Sequence, residues 1–350
     1  SLFIFLFYLP FHLFQNPEFH LLTPLFQLIS LFISHFFFLS SLLLFFLPQL
    51  GLLFNYVINA YLKISSSTFK IPFSLCFGKP TILFCFLYYL LLFLLLVLQQ
   101  YHYKKFEKHI QISLSILFSV SFLPDLCPHY EISFIDVGQG DSTLIRYENK
   151  NILIDTGGNK KINIAKDCLS PFLKKQKITS LDSVILTHTD FDHSGALNEL
   201  PNYLSIKNVF YQTDFKSENN YHLDFGSLQI HNLNFFSNEE KDKNTSSGVY
   251  YFKIRSKSFL IMGDAPKEVE IQILKNNPSL KADVIKVGHH GSNTSSDKGF
   301  LQKVSPSLAI ISCGLNNSYK HPSKETLETL NSLKIPYRRT DLEGTITLKL

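Results

Sequence analysis

Chemistry concentrates in one seven-residue stretch, Thr187-His188-Thr189-Asp190-Phe191-Asp192-His193, which places two imidazoles and two carboxylates within a single turn. Four such groups crowded together are costly unless positive charge sits among them. The stretch is therefore a candidate metal site; the alternative is a solvated polar loop. Further on, Gly288-His289-His290-Gly291-Ser292 sets two adjacent imidazoles between glycines. Histidine is the commonest metal ligand, and small neighbours let the backbone approach an ion. Between the two motifs, Gly263-Asp264 offers a lone carboxylate at the end of an apolar run. Asp264 suits a functional role at a strand's end or the N-cap of the helix that Pro266 starts, and the two roles can coexist.

Two earlier glycine-rich segments each carry an aspartate: Asp141 after Val137-Gly138-Gln139-Gly140, and Asp155 before Thr156-Gly157-Gly158. Gly permits tight backbone and close approach, so both loops could lie under a metal site. Ordinary turn chemistry also favours Asp and Gly. His321, before Pro322, is a substrate contact or a residue at the start of the next helix.

The elements that must position these groups are legible as short apolar runs between turns. Tyr130–Asp136, Ser142–Tyr147 and Asn151–Ile154 read as strands with glycine-rich exits. Ser183–Leu186 is a strand feeding the seven-residue turn. Ile162–Lys175 has helical spacing, interrupted or restarted at Pro171. Asn208–Gln212, Leu228–Leu233, Val249–Ile254 and Ser258–Met262 follow as strands, with a charged loop at 238–244. Ala282–Val287 empties into the His-His motif. Leu308–Ser312, an amphipathic helix near Ser323–Leu333 and a closing strand Gly344–Leu350 complete a layered α/β pattern.

Composition separates this part from what precedes it. Of 28 acidic residues only Glu18, Glu107 and Asp125 lie before residue 130, and of 33 basic residues only six do. Residues 1–125 therefore read as membrane segments and residues 130–350 as a soluble domain. The stretch 19–62 lacks Asp, Glu, Lys and Arg and can hold two spans of about 20 residues, with Pro24 and Pro48 marking ends. Residues 1–14 look like the end of another span; Thr81–Leu98 is the clearest, and Ile110 to about Leu123 is a shorter one or a buried helix. His12, His20, Gln27 and His35 sit among aromatics, facing a bundle interior or the interface. The positive-inside rule places the Tyr101–His109 loop in the cytoplasm and the soluble domain outside the inner membrane. The later part carries 27 of the basic and 25 of the acidic residues, so charge alone does not argue for nucleic acid. Cys76, Cys85, Cys127, Cys168 and Cys313 show no CxxC spacing and read as small buried apolar residues. The chain opens with Ser inside an apolar run, as expected of a piece of a longer protein.

Taken in order, these motifs resemble the metallo-β-lactamase superfamily and, more narrowly, the C-terminal domain of the ComEC family of DNA-uptake proteins. The matching residues are Phe134–Asp141, Leu153–Gly158, His188–His193, Gly263-Asp264, His289–Ser292, His321-Pro322 and Arg339-Thr340-Asp341. The resemblance implies an α/β fold, a metallo-β-lactamase αββα sandwich, preceded by transmembrane α-helices that end a channel domain. The widespread superfamily turn is His-x-His-x-Asp-His; Asp190 replaces its second His, an exchange typical of the ComEC-like branch. Asn244–Gly248 stands where superfamily enzymes carry a further His ligand, and Ser246 is given no metal.

By position, the resemblance implies one metal on His188, Asp190 and either His289 or His290, a second on Asp192 and His193, and Asp264 bridging them. Two ions about 3.5–4 Å apart would act on a phosphodiester, with Asp192 orienting the attacking water or taking its proton. Asp141, Asp155, Ser292 and His321 would serve as substrate or supporting contacts. Asp190 hardens the site, shifting preference from Zn²⁺ towards Mn²⁺. The implied partners are DNA, presented double-stranded and imported as a single strand, the membrane, and other competence-machinery proteins. The implied activity is a nuclease degrading the non-imported strand. The alternatives are a channel domain that only binds and guides DNA, and a surface phosphodiesterase such as a phosphocholine esterase.

Overall fold

Period-two alternation decides where the sheets bury their side chains. The computed structural model describes residues 2–20, 29–30, 32–38, 46–68, 74–121, 128–215, 222–235 and 242–350. The chain forms two compact units, Ser1–Asp125 with Leu173–Lys177, and Leu126–Phe172 with Ile178–Leu350.

In the second unit, β1 (His129–Phe134), β2 (Thr143–Glu148), β3 (Lys150–Ile154), β4 (Ser183–Ile185) and β5 (Val209–Phe210) lie in that order in one sheet. The strand Ile346–Lys349 closes the sheet against β1. A second sheet runs β6 (His222–Phe225), β7 (Leu228–Asn232), β8 (Tyr250–Ile254), β9 (Lys257–Ile261), β10 (Val284–Lys286), β11 (Leu308–Ile311) and β12 (Tyr337–Arg339). It is antiparallel as far as β9 and parallel beyond.

One core joins the two sheets. Ile132, Phe134, Ile145, Ile154 and Ile185 of the first meet Ile230, Phe252, Phe259, Ile261, Val284 and Ile310 of the second. Burying each such side chain contributes about 1.5–3 kcal/mol. Leu260, Ile285, Ala309 and Ile311 alternate to the other face of the second sheet. There they join Val269 and Ile273 of the helix Lys267–Asn276, Phe300, Leu301 and Val304 of the helix Lys298–Val304, and Leu330 of the helix Lys324–Ser332. This is an α/β two-sheet fold of the expected kind.

Departures from the sequence reading have local causes. Helical structure begins at Ile164, not Ile162, and continues as a wide π turn from Ala165 to Leu169 that runs on into α1 (Ser170–Lys175). Pro171 therefore does not break the helix; the widened turn accommodates its missing N–H. The strand expected over Asn208–Gln212 shrinks to β5, because Gln212–Asp214 forms a 3₁₀ turn whose Asp214 Oδ2 accepts from the Tyr211 N–H at 2.7 Å. In the second unit, short segments that the sequence reading passed over form four further strands among the described residues: Ser180–Leu181, Ser205–Ile206, β6 and β12. Of the loop expected at 238–244, residues 238–241 lie outside the described residues, and turns begin beyond them.

The first unit contains helices Leu2–Gln15, Gly51–Thr68, Ile82–Gln100 and Lys104–Ser121. Among the described residues one helix, Ile82–Gln100, is long and apolar enough to cross a membrane, with mean hydropathy 2.6. The expected basic loop is mostly helix: only Tyr101–Tyr103 break the chain, and Lys104–His109 form the first turns of the next helix, as good helix-forming Lys and Glu allow. Pro24, Gln27, Leu123, Pro124 and Cys127 lie outside the described residues. The other four cysteines are free, but only Cys313 is fully buried; Cys76, Cys85 and Cys168 are partly so.

Candidate metal centre

Strand ends deliver the polar groups to one edge of the two sheets, where open α/β sheets place function. The first sheet supplies Asp141 from the β1–β2 loop, Asp155 directly after β3, and the 187–193 turn after β4. The second supplies Asp264 beyond β9 and His289 and His290 beyond β10. Backbone geometry is forced at several of these points. His289 (φ +49°) and His290 (φ +53°) are consecutive left-handed residues, a conformation costing about 1–2 kcal/mol each for residues with a Cβ. A Cβ on Gly140 would collide with the Asp192 carbonyl, so this glycine lets the Asp141 loop lie against the turn.

The four imidazoles are fixed in one sense. His193 Nδ1 lies 2.9 Å from Asp155 Oδ2, and His290 Nδ1 lies 3.0 Å from the Ser312 carbonyl. A carboxylate and a carbonyl only accept, so both Nδ1 atoms carry the proton. His188 Nδ1 meets Thr187 Oγ1 at 3.1 Å, and that hydroxyl already donates to Asp155 Oδ2. His289 Nδ1 meets Thr294 Oγ1 at 3.0 Å, which donates to Ser292 Oγ. Each hydroxyl therefore accepts from its imidazole. The Nε2 atoms of all four rings are thereby turned towards one place, as metal-bound histidines require, and a bound ion would replace the proton that His290 Nε2 shares with Asp192 Oδ2 at 3.3 Å.

Those atoms converge on Asp264, which is 3% exposed. Its Oδ1 lies 3.1 Å from His193 Nε2 and 3.8 Å from His290 Nε2, and His290 Nε2 is 3.3 Å from Asp192 Oδ2. Its Oδ2 lies 3.9 Å from His188 Nε2 and 3.8 Å from His289 Nε2, and His188 Nε2 is 3.7 Å from Asp190 Oδ2. Two donor groups thus share one carboxylate. Metal–ligand bonds of about 2.0–2.2 Å in a tetrahedron put ligand atoms roughly 3.3–3.6 Å apart; the separations on the Oδ1 side, 3.1–3.8 Å, bracket this and form a cluster able to hold a metal, and those on the Oδ2 side, 3.7–3.9 Å, are wider. His188 Nε2, His193 Nε2 and Asp264 Oδ1 are buried without a hydrogen-bond partner. Orphaned polar atoms of this kind, aimed at one another, are what a bound cation satisfies, so the residues fit divalent ions.

Electrostatics agree. Burial and the neighbouring His193 drive the His188 pKa down to about 4, against Asp264, Asp155 and Asp190. Burial also pulls His193 down, but the carboxylates of Asp264 and Asp155 outweigh it and hold it well above the usual range. Burial would raise Asp264, yet His193 and His290 keep it far below an ordinary carboxylate. The carboxylates thus attract positive charge into a site from which water is largely excluded.

The candidate site residues lie near this centre, but not all on the same side. Asp190 heads the one-turn helix α2 (Phe191–Ser194) yet makes no capping bond; its Oδ1 accepts from Lys243 Nζ at 2.6 Å. Asp264 is not an N-cap either: Pro266 holds that position for Lys267–Asn276. Asp141 and Asp155 lie behind the imidazoles, towards their Nδ1 atoms. Ser292 supports Thr294 rather than facing outward. His321 packs its ring 5.7 Å from that of His289, stacks on Tyr319 and does not join the donor atoms. His289 and His290 each face a different oxygen of Asp264, both at 3.8 Å. Ser246 turns away to the Lys243 carbonyl, while Ser247 Oγ accepts the Asp264 N–H at 3.0 Å.

Sequence reasoning passed over Ser247, Thr294, Lys243 and Lys286. Lys286 had a signal: a lone lysine in an otherwise apolar strand, three residues before His289. The others sit in polar loops with no distinguishing pattern.

The metallo-beta-lactamase superfamily profile matches residues 135–314. ComE operon protein 3 of Bacillus subtilis (strain 168) is 32% identical over 302 residues, 76% of this chain and 39% of that protein. Competence protein ComA of Neisseria gonorrhoeae is 31% identical over 240 residues, 66% of this chain and 34% of that protein. Recombination protein 2 of Haemophilus influenzae is 34% identical over 233 residues, 63% of this chain and 29% of that protein. The chain thus spans less than two-fifths of the length of these relatives. With the profile, they bear out the resemblance to the C-terminal part of the ComEC family and support a metal-dependent hydrolase. The profile match extends over more than half of the residues, and the chain belongs to the metallo-beta-lactamase superfamily.

Proposed function

We propose that this chain is part of a DNA-uptake protein of the inner membrane, and that residues 130–350 hydrolyse DNA phosphodiesters with two divalent ions. The observation that carries the reading is the convergence of four Nε2 atoms on the two oxygens of Asp264, with Asp190 and Asp192 beside His188 and His290. His188, Asp190 and His289 would hold one ion, Asp192, His193 and His290 the other, with Asp264 between them. Bound divalent ions supply Lewis acidity and lower the pKa of water at the reacting centre. Three carboxylates among seven ligands favour Mn²⁺ more than an all-imidazole set would, with Zn²⁺ also suited.

The chain's own residues divide the remaining work. Asp264 is too deeply buried to meet a substrate, whereas the Asp192 side chain is 35% exposed. Asp192 is therefore the carboxylate placed to orient an attacking water or take its proton. His193 and His290 keep their Nδ1 protons on fixed acceptors, so neither ring need turn during the reaction. The competence and recombination named in the relatives support single-strand import with degradation of the other strand, alongside other competence proteins. Lys104, Lys105 and Lys108 follow the apolar helix Ile82–Gln100 and support a cytoplasmic placement for that junction. The hydrolase unit lies on the periplasmic or extracellular side provided that the next helix, Lys104–Ser121, carries the chain back across the membrane.

The test is cleavage of labelled DNA by the full chain in detergent with added Mn²⁺ or Zn²⁺. Wild type is expected to cut and Asp192→Ala to lose at least 100-fold, in the range of general acid–base catalysis. Metal-loaded wild type that leaves single- and double-stranded DNA intact overturns the nuclease reading. Cleavage of phosphocholine esters instead would identify a surface phosphodiesterase.

A further inference from the structure

Lys286 is the least expected residue in the core. It ends β10, is 0% exposed, and faces the space between the two sheets, as Val284 does two residues earlier. Its Nζ forms an ion pair with Asp141 Oδ2, which the opposite sheet contributes. A buried ion pair of this kind is seldom a net source of stability: charges cost several kcal/mol each to bury, and apolar replacements are often as stable. Its retention calls for a second role.

Asp141 shows what that role is. Its Oδ1 lies 3.3 Å from His290 Nδ1, and its Oδ2 lies 3.8 Å from His193 Nδ1. Both imidazoles already donate elsewhere, to Ser312 and Asp155, so Asp141 adds negative charge behind the rings and leaves its Oδ1 without a hydrogen bond. Its N–H also donates to the Asp192 carbonyl at 3.1 Å. The Asp141 loop thereby touches all three residues that share the Oδ1 side of Asp264. Asp141, Asp155 and His193 also cluster tightly enough to hold a metal. However, Asp155 and His193 are bonded to each other, and the Lys286 ammonium already supplies the positive charge at Asp141.

We propose that Lys286 is a positioning residue for the metal centre: its buried Nζ, paired with Asp141 Oδ2, holds the Asp141 carboxylate behind His290 and His193 and so sets the ligand strength of that half of the site. The inference rests on the metal-centre reading given above. Carboxylates behind metal-bound imidazoles raise ligand basicity, and their loss typically weakens metal binding about 10–100-fold. Lys286 itself touches neither ion nor substrate.

The test is Mn²⁺ titration of the full chain followed by electron paramagnetic resonance, with thermal melting in parallel. Wild type is expected to bind two ions. Lys286→Met leaves Asp141 buried and unpaired, so it melts lower and loses the more weakly held ion. Lys286→Met/Asp141→Asn removes both charges; it is expected to regain the wild-type melting point yet bind the weaker ion at least 10-fold less tightly. In a His290→Ala background the same pair should cost less affinity than it does in wild type, because the effect acts largely through His290. A double variant with wild-type affinity for both ions overturns the proposal, and so does one that no longer folds, since the charge pair would then serve the fold. Wild type that binds neither Mn²⁺ nor Zn²⁺ overturns the metal-centre reading itself.

Discussion

Asp155→Asn is the sharpest single perturbation of this centre, because it changes charge and hydrogen-bond sense without changing shape. Asp155 sits at φ +58°, a conformation that Asn tolerates as well as Asp, so the backbone has no reason to move. Its carboxylate accepts from the Thr187 N–H at 2.8 Å, from Thr187 Oγ1 at 2.8 Å and from His193 Nδ1 at 2.9 Å. An amide can keep the first bond, but its NH₂ then faces two donors. The least costly escape is for His193 to move its proton to Nε2, which removes the lone pair aimed at Asp264. Loss of such a partner weakens metal binding about 10–100-fold, or about 1.4–2.7 kcal/mol. Isothermal titration of the full chain with Mn²⁺ or Zn²⁺ measures it, and the affinity of the ion beside His193 should fall while that beside His188 changes less. Unchanged affinities for both ions would refute the reasoning, because they would show that the His193 tautomer is not set by Asp155.

Two further outcomes follow from the geometry. Asp264→Ala removes both oxygens that the two donor groups share; elemental analysis after dialysis should show loss of both ions rather than one, and retention of a full single ion would count against a shared carboxylate. Glu270, buried in the helix Lys267–Asn276, has its pKa raised to about 7 by burial, against the Asp297 and Ser296 N–H groups that it accepts. A carboxyl raised in the folded state contributes stability that is present below its unfolded value near 4.5 and lost as pH rises through about 7. The thermal midpoint should therefore fall between pH 5 and 8, by up to about 3 kcal/mol in stability, and Glu270→Gln should flatten that slope; an unchanged slope would place its origin elsewhere.

How much of this was legible in the sequence depends on the length scale of the signal. The chemistry of the 187–193 turn lies within seven residues, and metal-ligand types at that density can be recognised without a fold. Strands such as β1, β3 and β9 announce themselves because one or both faces enter a core. Strands β6 and β12 do not, since they are only four and three residues long and bring to the core no more than the partly buried Leu223 and Phe225 and the partly buried Tyr337. The division of labour between His289 and His290 was equally hidden. Adjacent residues in a regular strand point to opposite faces, and only the two consecutive left-handed conformations bring both rings to one carboxylate. No periodicity in the sequence encodes that.

The same two residues show why the centre needs its surroundings as much as its ligands. Backbone strain persists only where neighbouring contacts over-determine it. Here Thr294 holds one imidazole and the Ser312 carbonyl the other. Glu270 ties the following loop to its helix by accepting the Ser296 and Asp297 N–H groups at 2.8 and 2.6 Å. Behind the rings, Asp141 and Asp155 add negative charge where no solvent screens it, and Lys286 balances the first of them. The ligand atoms are thus aimed before any ion arrives, so binding does not have to bear the cost of ordering them. On the proposed ligand set such a centre would discriminate by donor type and charge rather than by folding around whatever cation is present, and Asp190, which among the described residues is the ligand carboxylate paired with an exposed lysine, would be the position where metal preference is most open to change.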